Sequence, residues 1–80
     1  MAKLPRQLAW RDFVRVLRLL GYELEKVGPG SARTYKTESR MPKRVAFHEA
    51  HSPKTIPAGT LRAYIRQLDL SLDEFLKLLD

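Results

Sequence analysis

The chain has no cysteine. That excludes disulfide frameworks, thiolate zinc sites and cysteine nucleophiles, and it makes a cytoplasmic protein the default expectation. Uncharged apolar runs extend only a few residues, far short of a membrane span. The opening Met1-Ala2-Lys3-Leu4-Pro5-Arg6 contains no apolar stretch of signal-peptide length before charge returns. Histidine is scarce, with only His48 and His51. Eighty residues leave room for one small domain, residues 1–80. Its core would be thin, so a partner or a homo-oligomer would supplement its stability.

Positive charge is plentiful: 15 Lys and Arg against 9 Asp and Glu, for a net charge of +6. It is unevenly spread. Residues 1–20 and 31–66 hold most of the bases, whereas residues 67–80 are acidic on balance. A basic field of this kind attracts polyanions, of which nucleic acid is the usual one. The plain alternative is a solvated surface with surplus Lys and Arg.

The apolar spacing reads as α-β-β-β-α(-α). Trp10, Phe13, Val14, Leu17 and Leu20 recur at helical intervals and define a first helix. Arg11, Arg15 and Arg18 form a basic stripe beside them, read as a solvated face. Gly21 suits the left-handed C-terminal cap. Tyr22 and Leu24 alternate with Glu23 and Glu25 in a short strand, which Gly28-Pro29-Gly30 turns back. Ser31 to Thr37 and Lys43 to His48 read as two further strands, joined by Glu38-Ser39-Arg40-Met41-Pro42. Pro53, Pro57 and Gly59 mark a loop into a second helix, with Leu61, Ile65 and Leu68 on its apolar face. Ser71-Leu72-Asp73-Glu74 spells a capping box that opens a last helix, with Phe75, Leu76 and Leu79 inward and Leu72 and Leu78 exposed.

A hairpin with a symmetric loop around residue 40 sets Lys36 opposite Arg44, Thr34 opposite Ala46 and Ala32 opposite His48. Side chains alternate along a strand, so these six share one face. Tyr35, Val45 and Phe47 share the other, with Tyr22 and Leu24 beside them, and the helices should cover that apolar side. The remaining face is then open and cationic, and it carries His48. A slip of one residue would bury Lys36 and Arg44, which is costly.

In this order, several segments resemble the HicA family of toxins from bacterial toxin–antitoxin modules. They are Leu20-Gly21-Tyr22 after a helix, Gly30-Ser31 opening a strand, Arg44-Val45-Ala46-Phe47-His48, Pro57-Ala58-Gly59-Thr60-Leu61-Arg62, and Ser71-Leu72-Asp73-Glu74-Phe75-Leu76. The resemblance covers nearly the whole chain, although no one segment is specific. It implies an α+β fold like that of a double-stranded-RNA-binding domain, with helices packed on one face of a three-stranded antiparallel sheet. It also implies a metal-independent mRNA endoribonuclease, an mRNA substrate, and a HicB-type antitoxin that covers the active site.

The family's catalytic histidine follows the Gly-Ser pair, where this chain has Ala32. Three readings stand side by side: an engineered replacement, a natural loss of cleavage, and a histidine relocated to His48, across the strand pair. Under relocation, His48 takes the 2′-hydroxyl proton and His51 or a lysine assists at the leaving oxygen. Arg33, Lys36, Arg44 and Lys54 are the candidates for holding the RNA backbone. On the plain reading, His48 is a strand-end residue making a local hydrogen bond and His51 lies in a loop.

No cofactor or metal is expected. The histidines of His48-Glu49-Ala50-His51 are three apart, not the four of the helical zinc-protease motif, and no third ligand is evident. Gly28-Pro29-Gly30 is too short for a nucleotide-binding loop. The alternative to an endoribonuclease is a non-catalytic RNA-binding or antitoxin-binding module on the same fold. A partner-binding domain with no RNA role is a third reading, and it predicts little salt dependence.

Overall fold

A computed structural model describes residues 3–49 and 54–80. Its elements run β1 (Gln7–Ala9), α1 (Trp10–Leu19), β2 (Glu23–Val27), β3 (Ala32–Lys36), β4 (Arg44–His48), β5 (Thr55–Pro57), α2 (Ala58–Gln67) and α3 (Leu72–Leu79). The architecture is α+β. A three-stranded antiparallel sheet, in the order β2-β3-β4, packs with three helices.

The short pair β1–β5 was not legible in the sequence. It ties together the entrances of two helices. Neither α1 nor α2 has a side-chain cap. Instead the Trp10 N–H donates to the Lys54 carbonyl and the Ala58 N–H to the Arg6 carbonyl, both at 3.0 Å. Each strand thus satisfies a donor at the start of the helix that follows the other. Pro57 sits just before α2, with φ −64° and an extended ψ.

The helix ends follow one pattern. After α1, the Tyr22 N–H bonds the Leu17 carbonyl and the Gly21 N–H bonds the Arg18 carbonyl, with Gly21 at φ 92°. This is a Schellman cap. After α2 the same bonds recur from Leu70 to Ile65 and from Asp69 to Arg66. There the left-handed position, at φ 57°, is occupied by Asp69. Helix α3 opens on the capping box: Glu74 N–H donates to Ser71 Oγ, and Ser71 N–H to the Glu74 carboxylate.

Phe13, on α1, is fully buried at the centre of the core. Its ring meets Phe47 of β4 edge-on at 5.0 Å and Phe75 of α3 at 6.1 Å. Burying one such side chain contributes about 1.5–3 kcal/mol. Leu8, Trp10, Val16, Leu17, Tyr22, Tyr35, Val45, Ile56, Leu61, Ile65 and Leu68 complete the interior. Leu72 and Leu78 are half-buried against this core, not exposed as the pattern implied, because α3 packs on α1. Leu24 differs in the other direction. It lies on the helix-facing side, paired with Tyr35, yet is 52% exposed, because β2 is the edge strand of the sheet.

Candidate nucleic-acid interface on the open sheet face

Strands β3 and β4 pair as Ala32↔His48, Thr34↔Ala46 and Lys36↔Arg44. This is the register expected from the loop centred on residue 40. Tyr35, Val45 and Phe47 are buried under the helices, whereas Lys36, Arg44, Ala46 and His48 are exposed. Thr34 and Ala32 are half-buried in the same row.

His48 and Ala32 are directly opposite, which places their Cβ atoms about 4.5–5.5 Å apart. An imidazole at 48 can therefore reach over the methyl group at 32. On its other side Ala32 is closed in by Gly28, where an added Cβ would come within 3.1 Å of the Ala32 Cβ. His48 Nδ1 is 3.3 Å from Ser31 Oγ. In the tautomer that donates Nδ1–H to Ser31, Nε2 is the free acceptor. The Tyr64 hydroxyl of α2 holds the strand end in place, bonding both the N–H and the carbonyl of His48 at 3.3 Å.

The β2 side of the face carries a feature absent from the sequence reading. Pairing runs Glu23↔Lys36 and Leu24↔Tyr35, then shifts to Lys26↔Thr34 and Val27↔Arg33, so Glu25 is a bulged extra residue. The shift turns Lys26 onto the open face, one cross-strand row from Ala32 and His48. Strict alternation would have sent Lys26 to the helix side, so no sequence signal short of the bulge itself marks it.

The face is also less cationic than expected. The Glu25 carboxylate accepts from Arg44 Nε at 3.0 Å and Nη2 at 3.1 Å, and lies 3.9 Å from Lys36 Nζ. The hydrogen bonds Arg44 donates to Glu25, then the charge of that carboxylate, raise the Arg44 pKa above its ordinary value. Glu23 lies opposite Lys36. Lys36 and Arg44 are like charges in direct cross-strand register, an unfavourable pair that Glu25 offsets.

The other named residues separate from this face. Arg33 projects to the helix side, where its Nε donates to Glu49 at 3.1 Å and its Nη1 to the carbonyls of Gly30 and Ala32. Lys54 is exposed and lines a cleft of about 470 Å³ with Ala9, Trp10, Arg11 and Glu49, away from the open face. Of the four cations named from sequence, Lys36 and Arg44 therefore share a surface with His48. They are four residues along the strands from it, about 13 Å at 3.3 Å per residue. Lys26 is nearer. His51 lies outside the described residues. Among the described residues no three His, Asp or Glu side chains gather as a metal site.

The helices thus leave one face of the three-stranded sheet bare, with Lys26, Lys36, Arg44 and His48 exposed on it. Residues 10–70 match the family model described as the HicA toxin of bacterial toxin–antitoxin systems. The chain belongs to the HicA toxin family, and that membership implies a HicB-type antitoxin as partner. No curated protein and no solved structure matches the chain. No helix among the described residues is long and apolar enough to cross a membrane.

Proposed function

We propose that this toxin is a metal-independent mRNA endoribonuclease in which His48 does the work of the histidine missing at Ala32. The RNA backbone lies along the open face of β2-β3-β4. His48 Nε2 takes the proton of a 2′-hydroxyl, whose oxygen attacks the adjacent phosphorus. The P–O5′ bond breaks, leaving a 2′,3′-cyclic phosphate and a 5′-hydroxyl. The proton for the leaving oxygen comes from His51 or a lysine. A positioned base of this kind contributes about 10²–10⁴-fold. Lys26 neutralises charge near the reacting phosphate, and Lys36 and Arg44 hold the backbone farther along. The antitoxin covers the same face, presenting acidic groups where phosphates would lie.

The observation that carries this reading is the direct opposition of His48 to Ala32 on an exposed face, with Nδ1 engaged by Ser31. The competing reading is a non-catalytic RNA-binding or antitoxin-binding module, with Ala32 a natural or engineered loss of the base. The absence of any imidazole at residue 32 favours it.

The test is cleavage of single-stranded RNA, with a chelator present, by this chain, its Ala32→His variant and its His48→Ala variant. Cleavage by the chain itself that His48→Ala removes supports relocation. Cleavage that appears only in Ala32→His supports an inactivated enzyme. Salt-sensitive binding with no cleavage by any of the three leaves the binding-module reading.

A further inference from the structure

A second run of positive charge lies on the helix side of the molecule. Arg11, Arg15 and Arg18 are exposed along one flank of α1. Arg15 donates to the Leu79 carbonyl at 2.7 Å. Arg11 and Arg18 have no carboxylate partner among the described residues. Beside them runs a cleft of about 360 Å³ that Tyr35 also lines, and at Arg18 it adjoins a second of about 340 Å³ bounded by Leu24.

The far side carries Leu24 next to Glu23. Leu24 and Val27 project from the helix-facing side of β2, opposite Tyr35 and Arg33, and are 52% and 59% exposed. The bulge at Glu25 is what turns Val27 to this side. An edge strand has thus kept two aliphatic residues on its inner face without a helix to cover them. The result is a furrow with an arginine wall and a tyrosine floor, edged on the far side by Leu24, with Val27 exposed beyond it on the same strand face.

We propose that this furrow docks an acidic amphipathic segment of the antitoxin, as an anchor separate from the open sheet face. Carboxylates on one side of the segment meet Arg11 and Arg18. Aliphatic residues on its other side cover Leu24 and Val27. The charge selects an acidic occupant, and the exposed Leu24 and Val27 select protein over RNA. Single-stranded RNA is gripped by exposed aromatic rings, and here the nearby rings, Trp10 and Tyr35, are 7% and 5% exposed. The proposal takes the existence of an antitoxin from family membership and is independent of cleavage chemistry.

The experiment measures antitoxin affinity and RNA affinity in parallel for the wild type, a Leu24→Ser/Val27→Ser double variant and an Arg11→Glu/Arg18→Glu double variant. Thermal melting verifies the fold, which these exposed positions leave intact. Antitoxin affinity should fall at least about tenfold in each variant. RNA affinity should stay within about twofold in the uncharged serine variant. Unchanged antitoxin affinity in the serine variant overturns the proposal. So does a tenfold loss of RNA affinity in that variant, which would make the furrow an RNA track. If the wild type binds no RNA while the antitoxin losses appear, the endoribonuclease reading fails and the furrow stands.

Discussion

Glu25 clasps the Arg44 guanidinium through two hydrogen bonds, at 3.0 and 3.1 Å, across the width of the open sheet. A carboxylate in that position occupies the ground a phosphate would take. The pair is exposed, and exposed ion pairs are held weakly enough for a polyanion to displace them. On the proposed RNA-binding role, Glu25 restrains affinity without abolishing it. Glu25→Gln should raise the affinity for a non-cleavable RNA several-fold. It should also steepen the dependence of log K on log salt by about 0.7 for each additional phosphate neutralised. Filter binding across a salt series reads both. Equal slopes and equal affinities would show that Glu25 stays clear of the RNA.

The two Schellman caps differ in one residue. Gly21 meets the left-handed conformation without strain, and a Cβ there would also come within 2.8 Å of Ser39 Oγ. Asp69 adopts the same region with a side chain, which costs an L-residue about 1–2 kcal/mol, less where a polar side chain bonds locally. Asp69→Gly should thus stabilise the chain, by about 0.5–1 kcal/mol once the entropy of the unfolded glycine is counted. Denaturant unfolding would show a higher midpoint. A lower midpoint would mean that the Asp69 side chain makes a contact worth more than the strain.

The capping box of α3 makes stability depend on pH. The Ser71 backbone N–H, then the Ser71 hydroxyl, lowers the Glu74 pKa in the folded chain below its ordinary value of 4.5. A group with a depressed folded pKa contributes stability that is present above its unfolded pKa and lost as pH falls through the folded one. At neutral pH, wild type should therefore melt above Glu74→Gln. The gap should narrow as the solution is acidified past the ordinary carboxylate range and close below the folded value. A gap that is constant from neutral to strongly acid pH would contradict this account.

Much of this fold is legible in the residues. Thr34 and Ala46 straddle a loop symmetric about Arg40, and burial of Tyr35, Val45 and Phe47 forbids a slip, so the β3–β4 register follows from pattern alone. Ser71 and Glu74 announce α3 in the same way. Three-residue strands such as β1 and β5 leave no periodic signature, since Leu8 and Ile56 are single buried positions that only their pairing explains. The bulge at Glu25 is hidden because Tyr22-Glu23-Leu24-Glu25 reads as clean alternation, while Glu25 is held by Arg44 and Lys36 two strands and one strand away. The register shift at this residue determines which way Lys26 and Val27 face. Arg33 shares strand parity with Tyr35, which puts it on the helix side, where its Nε donates to Glu49. The same parity rule correctly puts His48 on the open face beside Ala32.

The proposed mechanism has an imidazole on the neighbouring strand serving as the base. Its most direct test is the single-turnover cleavage rate of wild type and His48→Ala on one RNA, at concentrations that saturate both. The account predicts a loss of about 10²–10⁴-fold in His48→Ala with RNA affinity nearly unchanged. Equal rates in the two proteins would contradict it.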